Sequence, residues 1–250
     1  AREILQRVAP EANIAFHRLQ TDYGGAIPED LSYPTFVKPV KAAFSVLAKR
    51  VQSRRELIEH TRFSAWERWV IRHLVEPLEK TLRARIPAAE TAHSLMLEQP
   101  LQGRQYCLDG YFFNGSYTRL GVVDAVMYPG TDAFMRFDYP SQLPKDAQQR
   151  ADHIAKRFMQ EIGFTHGLFN MEFIHLEQTD EIKVIEVNPR LSAQFSDLYA
   201  RVDGVNLHEI ALALSQGMDP SLVSRREPVA GCASSFVYRS FDPTKRIAMP

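Results

Sequence analysis

Two apolar stretches late in the chain, Phe169-Asn170-Met171-Glu172-Phe173-Ile174-His175 and Ile182-Lys183-Val184-Ile185-Glu186-Val187-Asn188-Pro189-Arg190, flank the polar residues 177–180 and read as paired strands. Each strand carries one carboxylate among apolar neighbours. Alternation puts Asn170 and Glu172 on one face of the first strand, and Glu186 and Asn188 on one face of the second. A three-residue connection, 178–180, places Glu172 opposite Glu186 and Asn170 opposite Asn188. Opposed side chains have Cβ atoms about 5 Å apart, and like charges there cost on the order of tenths to one kcal/mol. A cation between them removes that cost. Two carboxylates and an amide oxygen form a hard, all-oxygen set suited to Mg²⁺ carried with phosphates. The spacing alone equally allows two solvent-facing glutamates on an amphipathic hairpin. Arg190, directly after Pro189, adds a guanidinium able to stabilise charge on a transferred phosphoryl or acyl group. Its structural alternative is an ion pair with Asp197 or Glu209.

The rest of the chain frames this pair. Residues 1–20 predict a short helix broken at Pro10, and Gly24, Gly25, Pro28 and Pro34 mark residues 21–34 as a connection. Residues 35–40 and 44–51 read as strands, and Ser53 with Glu56 forms a capping box before a helix. Phe63, Trp66, Val70 and Leu74 recur at helical spacing, and Pro77 is expected to split 63–86 into two helices. Residues 94–97 form a strand. Asn114-Gly115 marks the turn of a hairpin between 105–113 and 116–127, because that dipeptide adopts the positive φ angles of a type I′ turn. Helices are expected at 145–162 and 206–216, stopped by Gly163 and Gly217, with a last strand at 231–238. Strands and helices mix without βα alternation, so the fold class is α+β.

Composition closes off other classes. The 250 residues hold 30 Lys+Arg against 30 Asp+Glu, with no basic surplus for a nucleic-acid backbone. No apolar run approaches the roughly 20 residues of a membrane helix, and the N-terminus lacks a secretory apolar segment, so the expected setting is cytoplasmic. Cys107 and Cys232 both lie in strand-like apolar surroundings and read as buried reduced thiols. The chain has no GxSxG, HExxH or GxxxxGK[ST] string.

Four strings in order, Phe-Val-Lys-Pro-Val (36–40), Met-Leu-Glu-Gln-Pro-Leu-Gln-Gly-Arg-Gln-Tyr (96–106), Met-Glu-Phe (171–173) and Ile-Glu-Val-Asn-Pro-Arg (185–190), resemble the ATP-grasp superfamily over residues 28–217. The likeness is to its carboxylate-amine ligase and biotin carboxylase-like branches. It implies a nucleotide held between two α+β lobes, here 21–100 and 101–250, with 1–20 leading from a further domain expected before this chain. By the same resemblance Lys38 contacts the nucleotide phosphates, and residues 41–45 take the place of the phosphate-covering loop. Ala42, Ala43 and Phe44 replace its usual glycines, and Ser45 keeps the small polar character. Fewer positive-φ conformations are then open to the loop. Glu98, Gln99 and Leu101 match the hinge that reads adenine, and Gln105 stands where many relatives bind ribose with an acid. Phe36 and Ile185 match walls of the adenine site, Glu172, Glu186 and Asn188 the Mg²⁺ (or Mn²⁺) ligands, and Arg190 the arginine beside an acyl phosphate.

The implied activity is ADP-forming ligation. A small carboxylate is activated by the γ-phosphate of ATP and attacked by an amine, in a chain that forms a homodimer. A biotin carboxylase-like subunit would need an acidic base soon after Arg190, where 191–197 offers Asp197 alone. A non-catalytic ATP-binding module is the third reading, motivated by the missing glycines. His175 alternates away from Glu172 and is expected to be structural.

Overall fold

In the computed structural model, residues 1–19, 27–40, 48–85, 94–242 and 244 are described. The elements in chain order are α1 (Arg2–Val8), β1 (Phe16–Leu19), β2 (Thr35–Pro39), β3 (Lys49–Val51), α2 (Arg54–Thr61), α3 (Ala65–Arg85), β4 (Leu95–Glu98), β5 (Arg104–Phe113), β6 (Ser116–Met127), β7 (Phe134–Tyr139), α4 (Lys145–Glu161), β8 (Gly167–Leu176), β9 (Glu181–Asn188), α5 (Ser196–Asp203), α6 (Leu207–Ser215) and β10 (Ala233–Phe236). They divide into two compact units, one of residues 14–101 and one of residues 1–13 with 102–250. The class is α+β.

The smaller unit is a four-stranded antiparallel sheet in the order β1-β4-β2-β3. Leu19, Val37, Val51, Leu95 and Leu97 bury one face of it together with Leu57 of α2. Ser53 caps α2 by accepting from the Glu56 amide at 3.2 Å, while the Glu56 carboxylate accepts from the Gln52 amide rather than that of Ser53. Two expectations are corrected here. Residues 16–19 are a strand, not the end of a helix, because their amides pair with β4. Pro77 does not divide the helix at 65–85. A proline removes one amide donor, and its cost is met within a long run of other helical bonds.

The larger unit is a six-stranded antiparallel sheet ordered β10-β7-β6-β5-β8-β9. Asn114 (φ 49°) and Gly115 (φ 82°) turn the β5–β6 hairpin as their dipeptide dictates. One sheet face, with Leu108, Phe112, Phe169, Met171, Phe173 and Val184, packs on the apolar stripe of α4, whose Ala147, Ala151 and Ala155 admit close approach. The other face, with Cys107, Tyr111, Val123, Phe137 and Leu168, is covered by Phe195, Leu198, Tyr199 and Ile210 of the α5–α6 region. Residues alternating with the first core therefore emerge on the second face, and Glu172, Asn170 and Asp109 are among them. Cys107 is buried as expected, but Cys232 is exposed, preceding the edge strand β10 where only one side is paired. Strand β7 and helix α5 carry no strong periodic signal and went unassigned in the sequence.

Candidate active site

The site grows from the pairing of β8 and β9. Glu172 lies opposite Glu186 and Asn170 opposite Asn188. The reason differs from the sequence expectation. The connection is four residues long, since Leu176 pairs with Glu181, and on its own it would set Glu172 opposite Ile185. A β-bulge at Ile185 inserts one residue into β9 and restores the opposition of the acids, as bulges re-aim side chains at sheet edges. The bulge is braced from α1. Buried Arg2 donates Nη1 to the Val184 carbonyl at 2.7 Å and Nη2 to the Ile185 carbonyl at 3.0 Å.

The two carboxyls share a hydrogen bond, and burial followed by the charge of Glu186 pushes Glu172 up to about 7. Arg190 acts the other way on Glu172. Gln105 donates Nε2 to Glu172 Oε2 at 2.9 Å, and Asn188 donates Nδ2 to Glu186 Oε1 at 2.9 Å. Gln105 thus joins the acid pair directly. Arg190 is exposed, and its bond among the described residues is Nη1 to the Leu191 carbonyl at 3.3 Å. Its structural alternatives are taken: Asp197 pairs with Arg201 at 2.7 Å and Glu209 with Arg226 at 3.2 Å. His175 is buried on the opposite face and binds Asp180 at 2.7 Å.

No three His, Cys, Asp or Glu side chains gather into a metal-binding group among the described residues. The available donors are Glu172, Glu186 and the amide oxygen of Asn188, with the rest of an octahedral shell left to water and phosphate oxygens, as Mg²⁺ commonly takes. The set fits such an ion by the chemistry of its donors: a half-buried carboxylate and an exposed one, opposed across the β8–β9 ladder with an amide oxygen beside them, concentrate negative charge that a divalent cation neutralises.

Sequence reading missed the polar layer behind the acids. Asp109, 2% exposed, accepts Asn170 Nδ2 at 3.0 Å and Tyr199 Oη at 2.9 Å, with a further bond from the Ser192 hydroxyl. Burial raises Asp109 to about 6 despite these donors and the charge of Arg190. The available signal was an acid inside the apolar string Cys107-Leu108-Asp109-Gly110. A cavity of about 260 Å³, walled by Tyr111, Arg119, Tyr199, Asp203 and Arg225 among others, lies at the Tyr111 end of this face rather than at the acid pair.

In the smaller unit, Phe36 and Lys38 alternate with core residue Val37, and their β4 partners are Glu98 and Met96. Lys38 Nζ lies 2.8 Å from Glu98 Oε2, with side chains 17% and 4% exposed. The backbone at Glu98 is engaged as well: its carbonyl accepts from Thr35 Oγ1 at 3.1 Å, and the Gln99 amide donates to the Ala15 carbonyl at 3.0 Å. Leu101 follows in the irregular residues 99–103, and Ile185 is the bulge residue of β9. Ser45 and the rest of the expected phosphate loop lie outside the described residues.

Comparison with known families now places the chain. A family described as "ATP-grasp domain" matches residues 31–197, so the chain belongs to the ATP-grasp family. Among solved structures, L-amino acid ligase from Bacillus licheniformis is 19% identical with a TM-score of 0.66, covering 94% of this chain and 51% of that one. N5-carboxyaminoimidazole ribonucleotide synthetase from Thermus thermophilus is 17% identical, with a TM-score of 0.59 and coverage of 87% and 51%. The biotin carboxylase domain dimer of Hydrogenobacter thermophilus 2-oxoglutarate carboxylase, in complex with MgADP and bicarbonate, is 14% identical, with a TM-score of 0.58 and coverage of 91% and 45%. The chain thus spans about half the length of these proteins, and at such identities the likeness is one of fold. No curated protein matches the chain. Among the described residues no helix is long and apolar enough to cross a membrane.

Proposed function

We propose that this chain carries the nucleotide and metal site of an ADP-forming ligase that joins a small carboxylate to an amine. The observation that carries the reading is the opposition of Glu172 and Glu186 across β8 and β9, with Asn188 beside them. These residues would hold Mg²⁺, or Mn²⁺, on the phosphates of ATP, and the ion would supply charge neutralisation for phosphoryl transfer. The donor amides of Gln105 and Asn188 fix the carboxylates in place. Lys38 exchanges its bond to Glu98 for a phosphate oxygen, and Phe36, on the same sheet face, offers an apolar surface to the base. The hinge of Glu98, Gln99 and Leu101 lies along the adenine edge, which is read by backbone groups of this segment other than the Glu98 carbonyl and the Gln99 amide, and Ile185 walls it.

In the reaction, an oxygen of the substrate carboxylate attacks the γ-phosphorus and ADP leaves. The amine nitrogen then attacks the acyl carbon, inorganic phosphate departs, and the nitrogen gives up a proton. The exposed guanidinium of Arg190 stabilises the negative oxygen that develops at the acyl carbon. A biotin carboxylase-like reaction is less well supported, because Asp197, the acid offered after Arg190, is held by Arg201. A homodimer, the assembly named for the Hydrogenobacter relative, belongs to this reading and is checked by light scattering.

The test is Glu186→Gln. Calorimetric titration with ATP and Mg²⁺ should show binding to the wild-type chain and none to the variant, with unchanged circular dichroism. Phosphate release with a panel of amino acids then separates ligase from non-catalytic ATP-binding module. Near-normal binding by Glu186→Gln would remove the metal assignment.

A further inference from the structure

The acids of β8 and β9 face a second polar layer that the proposed reaction does not use. Asn170 is 3% exposed and lies between two strands, paired with Asp109 on β5 and with Asn188 on β9. Its Nδ2 is spent on Asp109 Oδ1 at 3.0 Å, and among the described residues no donor reaches its Oδ1. The nitrogen and oxygen of a carboxamide diverge from the same carbon. With the nitrogen turned to β5, the oxygen turns away from it.

We propose that Asp109 is a positioning residue: buried behind the acid pair, it locks the Asn170 amide so that Asn170 Oδ1 serves the cation site as a further oxygen donor. The inference rests on the metal assignment made above. A carboxylate has only acceptor atoms to offer, so it selects the nitrogen of Asn170 and repels the oxygen. Flipping the amide would set oxygen against oxygen inside a buried layer. Tyr199 and Ser192 hold the carboxylate itself, and Ser192 follows Arg190 by two residues, so the same acid ties down the segment carrying the guanidinium. Partners that orient metal ligands at one remove typically change metal affinity by about 10–100-fold when lost.

The experiment measures free Mn²⁺ by electron paramagnetic resonance during titration of the whole chain in the presence of ADP, alongside ADP affinity in EDTA. Asp109→Asn keeps the volume but can offer its own amide nitrogen to Asn170 Oδ1, which releases the lock. The expected result is Mn²⁺ affinity weaker by about 10-fold or more with metal-free ADP affinity unchanged, a split that a loss of packing alone would not produce. Asn170→Ala should match it, and the double variant should be no worse than either single one. Should Asp109→Asn fail to fold, Asn170→Ala alone decides by the same split. Mn²⁺ affinity unchanged in folded Asp109→Asn or Asn170→Ala, while Glu186→Gln abolishes it, would overturn the inference and leave the metal assignment standing. A wild-type chain that binds no Mn²⁺ with ADP would remove both.

Discussion

Arg2 donates from its guanidinium to the backbone carbonyl of Ile185, the residue by which β9 exceeds β8. Without that extra residue Glu186 would slip out of opposition to Glu172, so the acid pair depends on a side chain 183 positions away from the bulge residue. A bulge frees backbone groups from the ladder, and a buried cation with several donors satisfies them. Arg2→Met removes the donors and leaves the Val184 and Ile185 carbonyls short of partners in a buried setting. Each such loss costs about 1–3 kcal/mol, and the thermal midpoint should fall by several degrees. Mn²⁺ affinity should fall in parallel as the acids lose register. A variant with normal affinity would show that the bulge persists without Arg2.

Proton binding at the acid layer predicts a pH dependence with a definite sign. Glu172 rises from 4.5 to about 7 and Asp109 from 3.8 to about 6. A folded-state affinity for protons above that of the unfolded chain stabilises the fold below the unfolded value and loses that contribution as pH climbs through the folded value. The metal-free protein should therefore lose stability between about pH 4 and pH 7, from these two groups. A divalent ion must displace the proton on Glu172, so stabilisation by Mg²⁺ should grow over the same interval. Thermal midpoints in EDTA and in excess Mg²⁺ across that range check both slopes. Parallel curves would mean that the ion does not meet Glu172.

Much of this layout was readable in the residues. Asn114-Gly115 fixed the central hairpin because few dipeptides tolerate two positive φ angles, and the late strands announced themselves by apolar runs around single acids. The register of those strands came out as expected from a wrong turn length, since a four-residue connection and a bulge together give the pairing that a three-residue connection would have given. Bulges leave little trace in a string of Val and Ile, and the brace from Arg2 is a contact of high sequence separation. Asp109 was passed over for the same kind of reason: nothing local says that Tyr199 and Ser192 fold back over it. The helix at 65–85 misled in the other direction, where a proline looked decisive and the long run of helical bonds around it carried the helix through.

In the smaller unit, Lys38 and Glu98 form an ion pair nearly out of water. Removing one member of such a pair leaves the other charge less well compensated away from water and costs up to about 3–5 kcal/mol, while replacing both is far milder. Lys38→Met should accordingly unfold at clearly lower denaturant than wild type, and Lys38→Met with Glu98→Gln should recover part of the loss. Nucleotide affinity discriminates the roles: it should stay low in the double variant, because the phosphate contact is gone although the fold is repaired. Recovery of ATP binding along with stability would mark Lys38 as structural only.

Gly121 is where packing and the polar layer meet. A Cβ built there would come within 2.7 Å of the Tyr139 ring and 2.8 Å of the Tyr199 ring. Both rings are fixed at their far ends, Tyr139 by a hydroxyl bond to Asp203 and Tyr199 by its bond to Asp109. A methyl group has nowhere to go, so one ring must move, and overpacking of this kind costs about 1–3 kcal/mol. Displacement of Tyr199 would strip one donor from Asp109 and raise its proton affinity further, since that bond favours the charged form. Gly121→Ala should thus lower the thermal midpoint by several degrees and shift titration of the Asp109 carboxyl to higher pH, followed by infrared difference spectroscopy. Gly121→Ala combined with Tyr199→Phe should regain little stability, as the clash lies at the ring rather than the hydroxyl. An Asp109 titration unmoved in Gly121→Ala would place the yielding ring at Tyr139 instead.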